Sequence, residues 1–389
     1  MGDCLNRRMG ATRLTLTIFM LITAGASNAV FAQVTPAAGS TPPDDTPSIR
    51  VGATIYTNYS YQTDPEITDS DGNLVHRSGF DVTRSYINVT GNLSHVVAFR
   101  ITPDIARETN PASSLSGSLE FRVKYAFLQT NLDDWMTRGS WARFGIQQTP
   151  YVDFMEGIYR YRFQGTMYVE RTGYMSSSDA GVSFHYNFAK NYGDVHVGYY
   201  NGENYNRAEV NDQKGLMVRA TGRPFARSAP VLRGLRGTFF HISDHYVKDG
   251  ERKRTIGAVS YEHPFVVAAF EYLDARDQRS ALPGQTSVDG QGYSLWVTPK
   301  TKQGWEGLIR YDHHTPDTSS AFAPQATAGN LVTPLDSQRQ NRLIAGVAYW
   351  FKLQGSVTAS LLVDYDAQVF KNLTTPETKT VAVHALVNF

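Results

Sequence analysis

The sequence predicts an all-β transmembrane protein, an antiparallel up-and-down β-barrel of about 16 strands, and three observations carry that expectation. The stretch Lys379–Phe389 alternates with a period of two: Val381, Val383, Ala385, Val387 and Phe389 share one parity, and Thr380, Ala382, His384 and Asn388 the other. Only Leu386 departs from the pattern. An apolar strand with an open edge is a template for aggregation, so this edge needs a partner. Residues 49–61 supply one, and joining first strand to last closes the sheet. Second, segments of the same kind recur along the chain between them. Third, the connections alternate between long and short, the rhythm of a barrel with outer loops on one rim and periplasmic turns on the other.

The chain opens differently. Arg7, Arg8 and Arg13 precede an apolar run from Leu14 to Ala26, and Val30-Phe31-Ala32 follows as a small-residue cleavage site, so residues 1–32 read as a secretory signal peptide. The apolar run is shorter than the roughly 20 residues that a spanning helix requires. Residues 33–48 are proline-rich and poor in apolar side chains, and are expected to form a disordered periplasmic lead. Cys4, the single cysteine, would leave with the signal, which removes disulfide and thiolate chemistry from the exported chain. Without residues 1–32 the chain carries 34 basic and 35 acidic side chains, a net charge of −1, which excludes a nucleic-acid binder. Mean hydropathy of −0.35 is compatible with a barrel, because each strand needs only about 9 to 11 residues with every second one apolar. The 22 tyrosines, 20 phenylalanines and 5 tryptophans can supply aromatic girdles at two water interfaces. Residues 49–389 are therefore assigned to the barrel.

Candidate strands lie near residues 49–61, 80–93, 96–105, 119–132, 141–148, 179–188, 194–201 and 215–223 in the first half. They continue near 234–243, 254–262, 265–274, 290–299, 305–313, 340–351, 355–366 and 378–389. Links at 62–79, 106–118, 149–178, 202–214, 244–253, 275–289, 314–339 and 367–377 are mostly long, whereas those at Ser94-His95, His263-Pro264, 300–304 and 352–354 are short. This alternation puts both chain ends on the periplasmic rim.

Parity then assigns faces. Ile87, Val89, Leu93, Val97, Phe99, Ile101, Phe121, Val123, Tyr125 and Phe127 are expected toward lipid, and Arg84, Arg100, Arg122 and Lys124 toward the lumen. A charge at the lipid midplane would cost about 2 to 4 kcal/mol, so the alternation is strongly enforced. In the same way Val357, Ala359, Leu361, Val363 and Tyr365 should face out, and Ser360, Asp364 and Asp366 in. A soluble exported β-sandwich also alternates, but it rarely combines so many strands with this loop rhythm.

Three stretches narrow the reading: W-A-R-F-G-I-Q-Q-T-P-Y (Trp141–Tyr151), E-R-T-G-Y-M-S-S-S-D-A-G-V-S-F (Glu170–Phe184) and V-H-V-G-Y-Y-N-G-E-N (Val195–Asn204). In order and spacing this set resembles the signatures of the phosphate-selective porin O and P family, through Phe144, Gly145, Pro150, Glu170, Arg171, Asp179, Gly181, Val182, Asn201 and Gly202. The resemblance covers residues 49–204 well and the remainder as architecture. It implies a 16-stranded pore, usually trimeric, whose third outer loop folds inward to narrow the channel. The residues agree: 149–178 is the longest connection, and Tyr151, Phe154, Tyr159, Tyr161, Phe163, Tyr168 and Tyr174 need a surface to pack on, which the inner wall offers. The chain lacks the N-terminal coiled-coil segment that some members carry. Arg160, Arg162 and Arg171 in the loop are matched by Asp153, Glu156 and Glu170, so the basic ladder of a phosphate-selective pore is incomplete.

On this reading the chain is a passive outer-membrane channel for small hydrophilic solutes or ions, with no cofactor. Its expected lumen charges are Arg84, Arg100, Arg122, Lys124 and Arg143 on one wall and Glu271, Glu306, Asp312, Asp364 and Asp366 on the opposite wall, a transverse field that would sort ions weakly. Local pairing of these charges with loop residues such as Glu156 or Arg160 is the structural alternative. Expected partners are the outer-membrane bilayer with its lipopolysaccharide, the barrel-assembly machinery, to which Phe389 would be the signal, small solutes or anions, and two further copies of the chain. An outer-membrane barrel phospholipase or protease is the competing function. No Ser, His or Asp stands in a distinctive nucleophile context. His241, Asp244 and His245, and the pair His313-His314, invite a metal reading without an evident third ligand.

Overall fold

The computed structural model describes residues 45–389 except 109, 228–229, 280, 282–286, 319–325, 328–329, 332–338 and 371–375. The expected signal peptide and most of the lead lie outside the described residues. Within them, sixteen strands pair antiparallel into a closed barrel. They are β1 Ser48–Asp64, β2 Ser78–Asn92, β3 Val97–Arg107, β4 Leu119–Asn131, β5 Trp141–Gln148, β6 Ser178–Asn187, β7 Gly193–Tyr200 and β8 Gly215–Gly222. The second half comprises β9 Leu235–Val247, β10 Gly250–His263, β11 Val266–Asp277, β12 Val288–Pro299, β13 Trp305–Thr315, β14 Gln340–Trp350, β15 Thr358–Phe370 and β16 Thr378–Asn388. Each expected strand is present. No described helix is long and apolar enough to cross a membrane, which says nothing against crossing by strands.

Closure runs through the two strands from which the barrel was inferred. β1 lies between β16 and β2, so that Thr54 is opposite both Asn388 and Tyr86. Phe389 completes the seam: its N–H donates to the Ala53 carbonyl at 3.0 Å, and the Ala53 N–H donates back at 3.0 Å. The seam thereby pairs backbone groups that would otherwise face hydrocarbon without partners. Val381, Val383, Val387 and Phe389 are exposed on the outside, while Ala382, His384 and Leu386 are buried within. Leu386, the residue that broke the pattern, joins an apolar cluster inside the barrel.

Two expectations need correction. Tyr125 and Phe127 point into the barrel rather than toward lipid, where they are buried with Ala98. The cause is a bulge in β4: Thr102 pairs with Tyr125 and Pro103 with Val123, so Lys124 is the additional residue. One additional residue reverses the parity of everything after it. Phe121 and Val123 before the bulge remain outside, and after it Leu128 takes the outward place. The second correction concerns residues 244–253, expected as a long loop. β9 and β10 continue their pairing to Val247 and Gly250, which leaves only Lys248 and Asp249 as the turn.

The turn rim carries a titratable contact. His95, between β2 and β3, places Nδ1 2.6 Å from Asp45 and Nε2 2.9 Å from Asp134, and its backbone N–H also donates to Asp45. The hydrogen bonds to Asp45 and then Asp134 raise the His95 pKa above its ordinary 6.5. A group with a raised folded-state pKa stabilises fully below the ordinary value and loses that contribution as pH climbs through the raised one. The tie between Asp45 and the rim should therefore hold below pH 6.5 and loosen above the raised value. An NMR titration of the His95 ring should give a pKa above 6.5 that returns to the ordinary value in Asp45→Asn/Asp134→Asn. An unshifted ring would remove this tie.

Candidate functional site: the lumen and its inward loop

The connection between β5 and β6 does not stay on the rim. It forms α1 (Pro150–Ile158) and the single turn α2 (Tyr168–Arg171) inside the barrel. Pro150 stands at the start of α1, where its fixed φ suits a helix and its missing N–H is no loss. Tyr151, Val152, Phe154, Met155, Ile158, Tyr159, Tyr161, Phe163, Met167, Tyr168 and Val169 are all buried, in one cluster with side chains from β7 round to β16, among them Tyr200, Phe240, Ile256, Leu273, Trp296, Trp350 and Leu362. The packing is ring against ring, with Tyr151 on Phe240 at 5.4 Å, Tyr159 on Trp296 at 5.1 Å and Tyr161 on Trp350 at 5.8 Å between centroids. Burying each such side chain contributes about 1.5–3 kcal/mol, so the loop is a second core wedged against one side of the wall.

Polar contacts fix its position. The Tyr151 hydroxyl donates to Glu271 at 2.6 Å, and Glu306 receives both Tyr161 at 2.8 Å and Arg160 at 2.6 Å. Arg171 lies 3.7 Å from Asp312, which Arg310 holds through two bonds of 2.8 Å, and Arg310 also donates to the Thr166 carbonyl at 3.0 Å. Within the loop Arg162 bridges Glu156 at 2.6 Å and Glu170 at 3.4 Å. Loop charges are thus matched, but Arg160 and Arg171 find their carboxylates on the wall. Asp153 lies in the field of Arg143, Arg100 and Arg219; burial pushes its carboxyl up, and those cations pull it back.

Glu271, Glu306 and Asp312 therefore lie beneath the loop, buried, and not on an open wall. The cationic set divides as well. Arg84 and Arg122 share one oxygen of Asp104, at 2.8 and 3.1 Å, with side chains 20% and 36% exposed inside the barrel. Arg100 is held by Thr102 at 2.8 Å and Asn88 at 2.9 Å, over the Tyr125 ring. Lys124 and Arg143 are sealed: Lys124 donates to the Tyr86 hydroxyl at 3.3 Å, and Arg143 lies 3.6 Å over Trp141 with Gln129 and Gln148 as acceptors. Asp364 is also buried, 3.1 Å from His384. Parity disperses the metal candidates. His241 bonds Thr255, while Asp244, three residues on, is buried on the other face against Arg252. His313 and His314 likewise part, to Asn341 and to Tyr174. Among the described residues no group of three ligands could hold a metal.

By sequence the chain matches no family model and no curated protein. By structure it resembles the loop L8 deletion mutant of OmpT, an outer membrane protein of Vibrio cholerae, with a TM-score of 0.57 at 12% identity over 89% of this chain and 100% of that one. The anion-selective porin from Comamonas acidovorans gives 0.56 at 11% identity over 88% and 100%. The outer membrane channel DcaP of Acinetobacter baumannii gives 0.55 at 12% over 90% and 100%. The fold is that of outer-membrane porins. At these identities the likeness is one of fold.

Within this porin fold the three motif stretches fall on adjacent strands and secure the stem of the inward loop. Gly145 of β5 pairs with Gly181 of β6, Asp179 accepts the Gly202 N–H at 2.8 Å, and the Asn201 N–H donates to the Ala180 carbonyl at 2.9 Å. The Tyr200 ring lies on Gly181 and Gly198, and its hydroxyl reaches the Gln148 carbonyl at the start of the loop. The motif is thus a hinge plate for the loop. Sequence reasoning missed Tyr205. Its hydroxyl donates to Asp104 at 3.2 Å and its ring lies 5.3 Å from the Arg122 guanidinium, so the 201–214 connection also reaches the basic wall. A lone aromatic in that polar loop was the available signal.

Proposed function

We propose that the chain is a passive outer-membrane porin, a channel through which small hydrophilic solutes or ions diffuse without a bond being made or broken. One observation carries this reading: the inward loop packs chiefly on the side from β7 onward, and the wall that it leaves keeps polar side chains partly exposed within the barrel, Arg84, Arg122, Asn88, Asn58 and Ser60 among them. Two arginines on one aspartate leave that wall with a positive excess, so the selectivity proposed is weakly anionic. The order of motifs supports a narrower place among phosphate-selective porins and a homotrimer. The loop rim would face outward, the turn rim and both ends of the described chain the periplasm. Purified protein in a planar bilayer should give stable ohmic steps. Silent bilayers together with lipid or peptide hydrolysis would replace this reading with the barrel enzyme.

Phe389 is proposed to matter for assembly rather than conduction, since it closes the seam onto Ala53 and shows an aromatic ring to lipid. Its deletion should lower the yield of heat-modifiable barrel in cells and leave the conductance of the survivors unchanged. Full assembly without Phe389 would contradict this.

A further inference from the structure

Toward the loop rim, one part of the inner wall lies beyond the apolar cluster. There the register of β15, β16 and β1 stacks inward side chains in rungs: His384 is level with Asn58, Ala382 with Asp364 and Ser60, and Thr380 with Asp366. A cavity of about 160 Å³ lies against them, bordered from the loop by Gln164, which donates to Asp366 at 3.1 Å.

The charges of this cavity are matched in place. Arg342 grips Asp366 through two bonds of 2.7 and 2.6 Å, and His384 Nε2 lies 3.1 Å from Asp364 Oδ1. A free ion gains little from such paired groups, whereas hydroxyls and amides around them alternate donors with acceptors. Three buried atoms here, Asn58 Oδ1, Asp364 Oδ2 and His384 Nδ1, have no hydrogen-bond partner among the described residues. Buried polar atoms are nearly always satisfied, by protein, water or ligand. The first two can only accept, and the Nδ1 of His384 accepts on a neutral ring and donates on a charged one, either of which a hydroxyl can answer. Their complement is a molecule rich in hydroxyl donors. Behind the site the Phe163 ring packs edge-on against His384, 6.5 Å between centroids. Its volume is below the roughly 300–1,000 Å³ of pockets for drug-sized ligands.

We infer that this cavity is a binding site for a small uncharged polyol, a monosaccharide or a sugar alcohol, on the wall of the channel. The inference deepens the porin reading and rests on it for its role in permeation. The test is isothermal titration calorimetry of the folded protein in detergent, with glucose and sorbitol as probes and glycine betaine, which has no hydroxyl, as control. Saturable heat is expected from the two polyols and none from betaine. Asn58→Leu and, in case that variant folds poorly, the isosteric Thr380→Val should each weaken binding about tenfold, the effect of one or two lost hydrogen bonds. In bilayers the polyols should reduce the wild-type step current beyond the betaine control. Steps without saturable heat, or heat unchanged in both variants, would overturn the site and leave the channel standing. Saturable heat without steps would overturn the channel and keep the site.

Discussion

Replacing Arg84 and Arg122 together by alanine should turn the channel from weakly anionic to cationic, seen as a reversal potential that moves toward the potassium value in a KCl gradient. Both arginines lean on the same oxygen of Asp104, whose side chain has no exposure of its own. The trio carries a net single positive charge; without its arginines it carries a single negative one. Interactions within the Debye length of about 10 Å at 0.1 M salt remain largely unscreened, so a solute passing in the lumen meets the reversal directly. Asp104→Asn should move the potential the other way, toward chloride. The triple variant Arg84→Ala/Asp104→Asn/Arg122→Ala should fall between. Arg143→Ala is the informative contrast, because Arg143 is sealed under Trp141 and Phe127. It should leave the reversal potential alone and lower stability by about 1–3 kcal/mol, through the acceptors left on Gln129 and Gln148. A double variant that folds, conducts and keeps the wild-type potential would show that permeating ions do not feel this wall.

Gly145→Ala should prevent most of the chain from reaching the heat-modifiable form. Gly145 has φ of +127°, a region that an L side chain rarely adopts, and a methyl group there would lie 2.3 Å from the Ala126 carbonyl oxygen and 2.9 Å from the Phe127 Cα. The backbone conformation alone costs about 1–3 kcal/mol, and neither backbone obstacle can swing aside as a flexible side chain would. Gly257→Ala offers the control, since an added methyl there meets nothing within 4 Å. It should assemble as the wild type does. Equal assembly of the two alanine variants, followed by gel shift or urea refolding, would remove Gly145 as a constraint on the hinge of the loop.

Strand number, closure and the aromatic inward loop were legible because each is written locally, in alternation, in link length, and in seven rings crowded into one connection. The orientation of Tyr125 and Phe127 was not, because a parity count carries forward unchanged across a bulge, and nothing near Lys124 marks the additional residue. The site was legible by residue type and not by pairing. Tyr151 finds Glu271 and Arg160 finds Glu306 across the barrel, more than a hundred residues apart in the chain. Parity put Glu271 and Glu306 on the inside, yet only the path of the loop decides that they are seats for it and that Arg84 and Arg122 meet solvent. Tyr205 shows the same limit, since its tie to Asp104 depends on how far a polar loop leans inward.

The one-sided seating of the loop also divides the barrel mechanically. From β7 round to β16 the wall is backed by a packed aromatic layer, whereas β2 to β6 carry only the small cluster of Ala98, Tyr125 and Phe127 and polar side chains, of which Arg84, Asn88, Arg100 and Arg122 are partly exposed. The more thinly backed wall is the more compliant one. Lateral pressure from the bilayer should therefore flatten the cross-section across β2–β6, and amide exchange should be fastest there and slowest where the loop stiffens the wall. The wall that meets the solute is also the wall that bends, so membrane tension would alter the width of the passage from its charged side.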